Sequence, residues 1–345
     1  MKYKAFIDDV VRKPMAPSDP KKRRLHMCER NIPFSDELFK RFLDTLTQED
    51  FINYPTSTDD LKDRLSRFHF KIGADKIFIG HGSDSVLSTV FNLFVTPGSK
   101  VLMPEAHFPM YDVYLQQNQG VKETLKYEID EAGELRLNIE FDESILADVS
   151  LIVVGNPNSP VGDCLTFRQL AKLSSYGIPL VVDQAYGEFG KTSFGFDRLA
   201  DDVIFVNTFS KAWGAAGCRI GYAIAKPEIV EKLNKLKPMF EVSEVSKKFA
   251  MFLLDNNLEV QQYVDEVAIE REILSKVIPF VYYGNWIHLH DGSPLIDPTW
   301  EIKTGARLPG VPGTFSRISI FPGMFRALHK RAVVMKGLKS SEQTP

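Results

Sequence analysis

A lysine with neighbouring hydroxyl side chains and a following arginine is the strongest chemical signal in this sequence. The segment is Thr208-Phe209-Ser210-Lys211, and Arg219 follows eight residues after the lysine. A lysine in such a setting can form a Schiff base with a carbonyl group. The hydroxyls and the arginine can hold a phosphate close to it. A lone Ser-Lys pair is more often a solvated strand end, so the other polar clusters decide the interpretation.

Three further polar clusters follow short apolar segments that are typical of buried strands. Gly80-His81-Gly82-Ser83-Asp84 opens a helix, whose free backbone N–H groups and dipole favour an anion. Asn156 to Gly162 follows the second apolar segment. Asp183 ends the third, with Tyr186 three residues later. A buried carboxylate needs a cation, such as a protonated pyridine nitrogen, although Asp183 taken alone fits a helix N-cap equally well.

Short apolar strands alternate with helices up to about residue 225, which predicts an α/β fold with a mainly parallel sheet covered by helices on both faces. Ligands bind at the carboxyl ends of the strands in such sheets, so the four polar clusters should meet at one edge. Two long helical stretches, about 228–237 and 243–278, and two further strands then follow. We expect a large cofactor-binding domain over 50–235, a smaller α+β domain over 236–345, and an N-terminal arm and helix over 1–49 that belongs with the small domain.

Composition narrows the possible partners and the compartment. The formal net charge is −3 and the isoelectric point about 6.2, which argues against nucleic acid or an anionic membrane as a partner. The sequence has no run of about 18 apolar residues and no signal-peptide core. Its three cysteines lie far apart without a Cys-x-x-Cys pair. We therefore expect a cytoplasmic protein without a disulfide framework or a metal site.

The polar clusters, taken in order, resemble the fold type I family of pyridoxal-phosphate enzymes. The closest likeness is to class I/II aminotransferases of the histidinol-phosphate aminotransferase group, and it covers roughly residues 25 to 320. The motifs that carry the resemblance are Asn53-Tyr54-Pro55, Gly80-His81-Gly82-Ser83-Asp84, Phe108-Pro109-Met110-Tyr111, Asn156 to Gly162, Asp183-Gln184-Ala185-Tyr186, Ser210-Lys211 with Arg219, and Arg317.

The resemblance implies pyridoxal 5′-phosphate as cofactor and a role for each matching residue. Lys211 would form the Schiff base and shuttle a proton, Asp183 would keep the pyridine nitrogen protonated, and Tyr186 would hydrogen-bond the phenolate oxygen. Phe108 would stack on the ring. The expected ligands of the phosphate are Gly82, Ser83, Asp84, Thr208, Ser210 and Arg219.

The same resemblance implies substrate and partner contacts. Arg317 would hold the substrate α-carboxylate, and Arg30 is a further candidate for substrate binding. Tyr54 would reach the cofactor phosphate of a neighbouring subunit, which makes the active unit a homodimer.

Two segments depart from the family pattern. Ser159 stands where the family has an asparagine that contacts the phenolate oxygen, and Asn158 lies one place earlier, so either residue is a candidate for this contact. The segment Glu29-Arg30-Asn31-Ile32-Pro33 matches the family's N-terminal pattern poorly. Because that region borders the substrate, the substrate itself stays open.

The predicted function is transfer of an amino group from a small amino acid or a phosphorylated amine to an oxo acceptor. The alternative is α-decarboxylation of an amino-acid phosphate, which also begins at Lys211. A non-catalytic regulatory module is a third possibility. The presence of Lys211, Asp183, Tyr186 and Arg219 opposes it.

Overall fold

The structure is a computed structural model that describes residues 4–12, 17–55, 57–69, 72–190, 199 and 201–341. The helices are α1 Asp36–Leu43, α2 Glu49–Ile52, α3 Asp59–Phe68, α4 Gly82–Phe94, α5 Met110–Gln117, α6 Phe167–Ser174, α7 Pro227–Leu236, α8 Glu244–Asp255, α9 Leu258–Ser275 and α10 Met324–Ser341. The strands are β1 Arg23–Arg24, β2 Ile77–Gly80, β3 Lys100–Pro104, β4 Val121–Leu125, β5 Tyr127–Ile129, β6 Leu135–Leu137, β7 Val149–Gly155, β8 Leu180–Asp183, β9 Val203–Thr208, β10 Gly221–Ile224, β11 Trp286–His290, β12 Trp300–Glu301, β13 Lys303–Ala306 and β14 Phe315–Ser319.

A seven-stranded sheet in the order β2-β10-β9-β8-β7-β3-β4 forms the centre of the molecule. β10 runs antiparallel to β2 and to β9, whereas the other neighbouring strands run parallel. Alternate residues of β8 enter opposite apolar clusters, with Val182 in one and Val181 in the other. Both faces of the sheet are thus buried, which confirms the predicted α/β fold.

Helix caps explain why several helices begin where the sequence predicts. Ser35 accepts a hydrogen bond from the Leu38 backbone and caps α1, as expected. Thr166 and Gln169 form a reciprocal capping box at the start of α6. These local bonds fix the helix starts independently of the tertiary fold.

The region after residue 243 differs from the sequence-based expectation. The helical stretch predicted over 243–278 is two helices, α8 and α9, separated at Asn256 and Asn257. The Asn256 side chain donates to the Phe252 carbonyl and so competes with the helical backbone. The predicted loop over 291–313 contains the short strands β12 and β13, and α10 was not predicted.

A second sheet, in the order β11-β14-β13, lies in the C-terminal third of the chain. β1 pairs in parallel with β12, so the N-terminal segment joins this part of the molecule. The predicted division into three regions at 49 and 235 stays a prediction. Within the residues described above, no helix is both long and apolar enough to cross a membrane.

Candidate active site

The strand register brings the polar clusters to one edge of the large sheet. Gly155 pairs with Asp183 across β7 and β8. Further along the same sheet, Gly221 at the start of β10 pairs with Gly80 at the end of β2 and with Thr208 at the end of β9. The loop that follows Gly155, the Asp183 carboxylate, the start of α4 and the end of β9 therefore share this edge, as the sequence predicts.

The start of α4 and Arg219 form an anion cradle. Gly82 has a φ of +77°, and a Cβ built on it would lie 2.5 Å from Arg219 Nη2. Arg219 Nη1 donates to Ser210 Oγ at 3.2 Å, and the Ser210 and Thr208 hydroxyls are 3.0 Å apart. A Cβ on Gly221 would lie 2.2 Å from Ser83 N, so β10 can come this close to the helix start only because residue 221 is a glycine. Guanidinium, hydroxyl and free N–H donors converge here, which suits a phosphate.

Two carboxylates in the site are held by tyrosines. Asp183, at the end of β8, accepts from the Tyr111 hydroxyl at 2.7 Å and from the Ala185 backbone at 3.0 Å. Burial raises the pKa of Asp183, and the Tyr111 bond opposes that increase. Asp84, in the first turn of α4, accepts a hydrogen bond from Tyr114. The Asp183 carboxylate is thus held in one orientation, and a cationic partner would stabilise its ionised form.

Lys211 faces the N-terminal segment of residues 22–34, which we call the strap. Its Nζ donates to the Met27 carbonyl at 2.8 Å and lies 5.4 Å from the centroid of the Tyr186 ring. Desolvation lowers the pKa of Lys211, and the positive charges of Arg317 and Arg219 lower it further. The amine is therefore closer to its neutral, nucleophilic form than a surface lysine is.

Arg317 connects the second sheet to the loop after β7. Its Nη1 donates to Ser159 Oγ at 2.9 Å, and its Nη2 donates to the His26 carbonyl at 3.4 Å. Asn158, in contrast, donates through its side-chain nitrogen to the Ala106 carbonyl at 2.7 Å and to the Tyr127 hydroxyl. Of the two adjacent candidates, Ser159 is the one that contacts Arg317.

The remaining predicted residues lie at different places. Phe108 packs edge-on against Tyr111, with 5.8 Å between the ring centroids, and Tyr111 in turn donates to the Asp183 carboxylate. Arg30 lies over the Phe34 and Tyr263 rings, at 4.4 and 4.7 Å, and its donors bond backbone carbonyls. Tyr54 is 79% exposed, and its recorded ring contact is with Phe240 rather than with the residues around Lys211.

Sequence reasoning did not assign roles to several residues that build the site. Three tyrosines that were not among the predicted site residues hydrogen-bond to residues that were. The pairs are Tyr111 with Asp183, Tyr114 with Asp84, and Tyr127 with Asn158. Tyr111 lies in the first turn of α5, three residues after Phe108, which precedes the helix and belongs to the same sequence motif. The motif that contains both residues could therefore have indicated a role for Tyr111. The contact of Lys211 with the strap is made to a backbone carbonyl, so no residue type in the strap could have indicated it.

The donor set fits pyridoxal 5′-phosphate. The phosphate requires N–H, hydroxyl and guanidinium donors, the pyridine nitrogen requires a carboxylate, and the aldehyde requires a lysine. The site provides the cradle around Gly82, whose missing Cβ leaves Arg219 its place, together with Asp183 and Lys211 at the same sheet edge.

Comparisons with known proteins agree with this geometry. The family model for aminotransferase class I and II matches residues 28–281. The histidinol-phosphate aminotransferase of Caldanaerobacter subterraneus subsp. tengcongensis is 30% identical over 271 residues, which cover 74% of this chain and 73% of that protein.

Two solved structures show the same fold. One is the histidinol-phosphate aminotransferase from Sinorhizobium meliloti in complex with pyridoxal-5′-phosphate, with a TM-score of 0.72, 21% identity and coverage of 92% and 91% of the two chains. The other is the L-threonine-O-3-phosphate decarboxylase from Porphyromonas gingivalis, with a TM-score of 0.72, 17% identity and coverage of 91% and 99%.

The fold alone does not separate transfer from decarboxylation, because both activities occur at the same structural similarity. The family model and the sequence relative favour transfer, and they confirm the predicted enzyme class and cofactor. The chain belongs to the aminotransferase class I and II family, and it is a pyridoxal-phosphate-dependent aminotransferase.

Proposed function

We propose that this aminotransferase transfers the amino group of a phosphate-bearing amine to a 2-oxo acid, with Lys211 as the lysine that binds the cofactor. The cofactor, when bound, supplies an aldehyde that exchanges for an amino group and a ring that withdraws electrons. The observation that carries the proposal is the meeting of Lys211, Asp183 and the Gly82–Arg219 cradle at one sheet edge.

Lys211 is the proposed proton carrier. Its lowered pKa increases the fraction of neutral amine, so Nζ can take a proton from a substrate Cα and return it. Its hydrogen bond to the Met27 carbonyl holds Nζ on the strap side of the site. A neutral amine makes a weaker hydrogen bond to this carbonyl than an ammonium does, which favours its movement during the reaction.

Asp183, Tyr186 and Ser159 are the proposed contacts of the cofactor ring. Asp183, oriented by Tyr111, would keep the ring nitrogen protonated. Tyr186 is held edge-on against Trp286 at 4.6 Å and would donate to the phenolic oxygen. We favour Ser159 over Asn158 as the second contact, because the Asn158 amide donates elsewhere and the Ser159 hydroxyl contacts Arg317.

Arg317 is the proposed site of the substrate carboxylate. Its guanidinium lies 5.7 Å from the Trp286 ring and is held by Ser159 and the His26 carbonyl. Its Nε is buried and has no hydrogen-bond partner among the described residues. A carboxylate would satisfy this guanidinium through charge-assisted bonds.

A phosphate-bearing substrate is favoured by charge at the strap. A cavity of about 450 Å³ is lined in part by Lys22, Arg23, Arg24 and Arg30, while Glu29 supplies the opposing charge and pairs with Arg24 at 2.9 Å. Gly214, three residues after Lys211, lies on its wall. An excess of positive charge attracts a dianionic phosphate more than a neutral amine. The names of the relatives that this chain resembles point to the same substrate class.

The active unit in this proposal is a homodimer. Tyr54 stacks on Phe240 at 4.8 Å, and both are exposed, together with Ile52 and Met239. Contiguous exposed apolar side chains of this kind are typical of an interaction surface. Tyr54 would thus reach the phosphate of the neighbouring subunit. The free cysteines favour the cytoplasm, where thiols remain reduced.

The test uses a matched substrate pair, histidinol phosphate and histidinol, with a 2-oxo acid acceptor. We expect the reconstituted enzyme to form the amino-acid product, with kcat/KM about 10- to 100-fold higher for the phosphorylated amine, since one or two charge-assisted bonds are lost without it. Equal rates would reject the phosphate substrate. Release of CO₂ from an amino-acid phosphate without transfer would favour decarboxylation, and Lys211→Ala should abolish either reaction.

A further inference from the structure

A side-chain hydrogen bond joins the turn that carries Tyr186 to the turn that carries Lys211. Trp213 Nε1 donates to Glu188 Oε1 at 2.7 Å. Glu188 lies two residues after Tyr186, in a short 3₁₀ turn, and Trp213 lies two residues after Lys211. The bond therefore connects the segments that follow β8 and β9, close in the chain to two proposed functional side chains.

The Trp213 indole is held in one place by its surroundings. Its side chain is buried, and its ring centroid lies 5.1 Å from that of Phe209 and 5.3 Å from that of Phe68. The Gly214 N–H donates to the Lys211 carbonyl at 3.0 Å, so the turn between the lysine and the indole is closed by its own backbone. A large ring packed in this way keeps its N–H in a fixed direction.

The turn after Tyr186 is anchored next to Glu188 as well. Arg271 Nη1, from α9, donates to the Phe189 carbonyl at 2.7 Å. The Phe189 N–H in turn donates to the Tyr186 carbonyl at 3.0 Å. Two successive residues, Glu188 and Phe189, thus hold this turn against other parts of the molecule.

Glu188 differs in charge behaviour from the titratable groups near it. Burial raises the pKa of Glu188 to about 7, and bonds from its own backbone and from the Trp213 indole oppose that increase. Tyr222 on β10 interacts with Glu188, and its hydroxyl oxygen lies 2.7 Å from His69 Nε2. Burial lowers the pKa of His69 to about 4 and raises the pKa of Tyr222 well above its usual range. Of these three groups, Glu188 is the one that changes charge near neutral pH.

We propose that Glu188 and Trp213 form a positioning pair, whose hydrogen bond fixes the Lys211 amine relative to the Tyr186 hydroxyl. The inference rests on the roles of Lys211 and Tyr186 proposed above. Their two targets, the aldehyde carbon and the phenolic oxygen of the cofactor, belong to adjacent ring positions, so their relative placement matters. A displacement of about 1 Å at a reacting group can lower a rate about 100-fold. The pair acts through the two turns and has no covalent part in the reaction.

The hydrogen bond itself is tested in the apoprotein by the NMR signal of the Trp213 indole N–H. The chain has three tryptophans, and Trp213→Phe identifies the signal by removing it. We expect the signal to shift as the pH passes through about 7, because an ionised carboxylate accepts more strongly than a neutral acid. Glu188→Gln should abolish the shift. A wild-type signal that stays constant between about pH 6 and about pH 8 would overturn the proposal.

The positioning role is tested by a pH titration of the visible absorbance band of the cofactor bound to the full chain. A hydroxyl that donates to the phenolic oxygen stabilises its deprotonated form, so a displaced Tyr186 raises the apparent pKa. We expect Trp213→Phe and Glu188→Met each to raise it by about half a unit or more, with kcat about 10-fold lower and KM changed less than about twofold. Glu188→Gln keeps an oxygen that accepts from the indole and should titrate nearly like the wild type.

Two further variants separate positioning from folding stability. The double variant Glu188→Met with Trp213→Phe leaves neither partner of the bond without the other. It should therefore regain most of the thermal stability lost in the single variants, but keep their shifted titration and lower kcat. Phe68→Leu weakens the packing of the Trp213 ring and keeps its N–H, so it should lower stability and leave the titration unchanged. A double variant that regains a wild-type titration, or a Phe68→Leu variant that shifts it equally, would show a packing role and overturn the proposal.

Failure of this inference and failure of the proposed roles give different results. A visible band that survives Lys211→Ala with the cofactor still covalently bound would overturn the role of Lys211, and the positioning pair with it. A wild-type protein that binds the cofactor through Lys211 and transaminates, with Trp213→Phe and Glu188→Met both titrating like the wild type, would overturn the positioning pair alone.

Discussion

Replacing Gly82 with alanine tests whether the start of α4 and Arg219 form one phosphate cradle. The new Cβ would lie 2.5 Å from Nη2 and 3.1 Å from Cζ of Arg219. Carbon and nitrogen atoms normally stay about 3.5 Å apart, so the guanidinium has to move by about 1 Å. This displacement takes Arg219 away from the helix N-terminus and from Ser210, to which it donates at 3.2 Å.

The substitution should lower two separate quantities, the folding stability and the affinity for the cofactor. Alanine in the left-handed region costs about 1–2 kcal/mol of folding stability. Loss of one charge-assisted hydrogen bond to the phosphate costs about 1.5–3 kcal/mol of binding. The dissociation constant of pyridoxal 5′-phosphate should therefore rise about 10- to 100-fold.

The assay is equilibrium titration of the apoprotein with pyridoxal 5′-phosphate, together with thermal unfolding. The matched control is Gly133→Ala, because Gly133 has a φ of +79° and a Cβ on it would meet nothing within 4 Å. Both variants should lose similar stability, but only Gly82→Ala should lose cofactor affinity. If both bind the cofactor equally well, the cradle assigned to Gly82 and Arg219 is wrong.

Three further changes probe other parts of the molecule. Arg317→Lys keeps the charge but loses the planar fork that contacts Ser159, so kcat/KM should fall about 10- to 100-fold while cofactor absorbance stays unchanged. Burial raises the pKa of Asp163 from 3.8 to about 6, so the native state holds its proton more tightly and this group's stabilisation is lost as pH rises through about 6. Asp163→Asn should flatten that decrease in denaturant titrations of the apoprotein. Tyr54→Ala removes one ring of the exposed pair with Phe240 and should weaken dimerisation about 10-fold or more in sedimentation, and an unchanged dimer constant would count against the interface.

The parts of the site that follow strands were predictable from the sequence. Asp183 and Thr208 end buried strands, and Lys211 comes directly after one of them. In a mainly parallel sheet the carboxyl ends of neighbouring strands meet at one edge, so position in the chain already fixes position in the site. The antiparallel direction of β10 was not predictable, because its apolar residues fit either direction.

Contacts between distant segments were not predictable in the same way. Tyr111 and Asp183 are 72 residues apart, and Arg317 and Ser159 are 158 apart. Neither pair has a spacing that could indicate contact. The sequence therefore leaves the choice between Asn158 and Ser159 open, and the contacts of Arg317 and of the Asn158 amide are what support our proposal of Ser159.

The strap contacts two functional side chains of the site through its backbone, at positions just before the unfamiliar segment Glu29 to Pro33. Lys211 and Arg317 contact the carbonyl oxygens of Met27 and His26, which every residue type supplies. Side-chain identity at these two positions is therefore weakly constrained by the contacts, and the strap can diverge while its backbone path is kept. Cys28 is different, because its side chain is fully buried and its backbone conformation disfavours any residue with a Cβ. If the strap acts only through its backbone, Cys28→Gly should bind pyridoxal 5′-phosphate and transfer amino groups as the wild-type protein does, and a lower affinity or a lower kcat/KM would show that the side chain contributes.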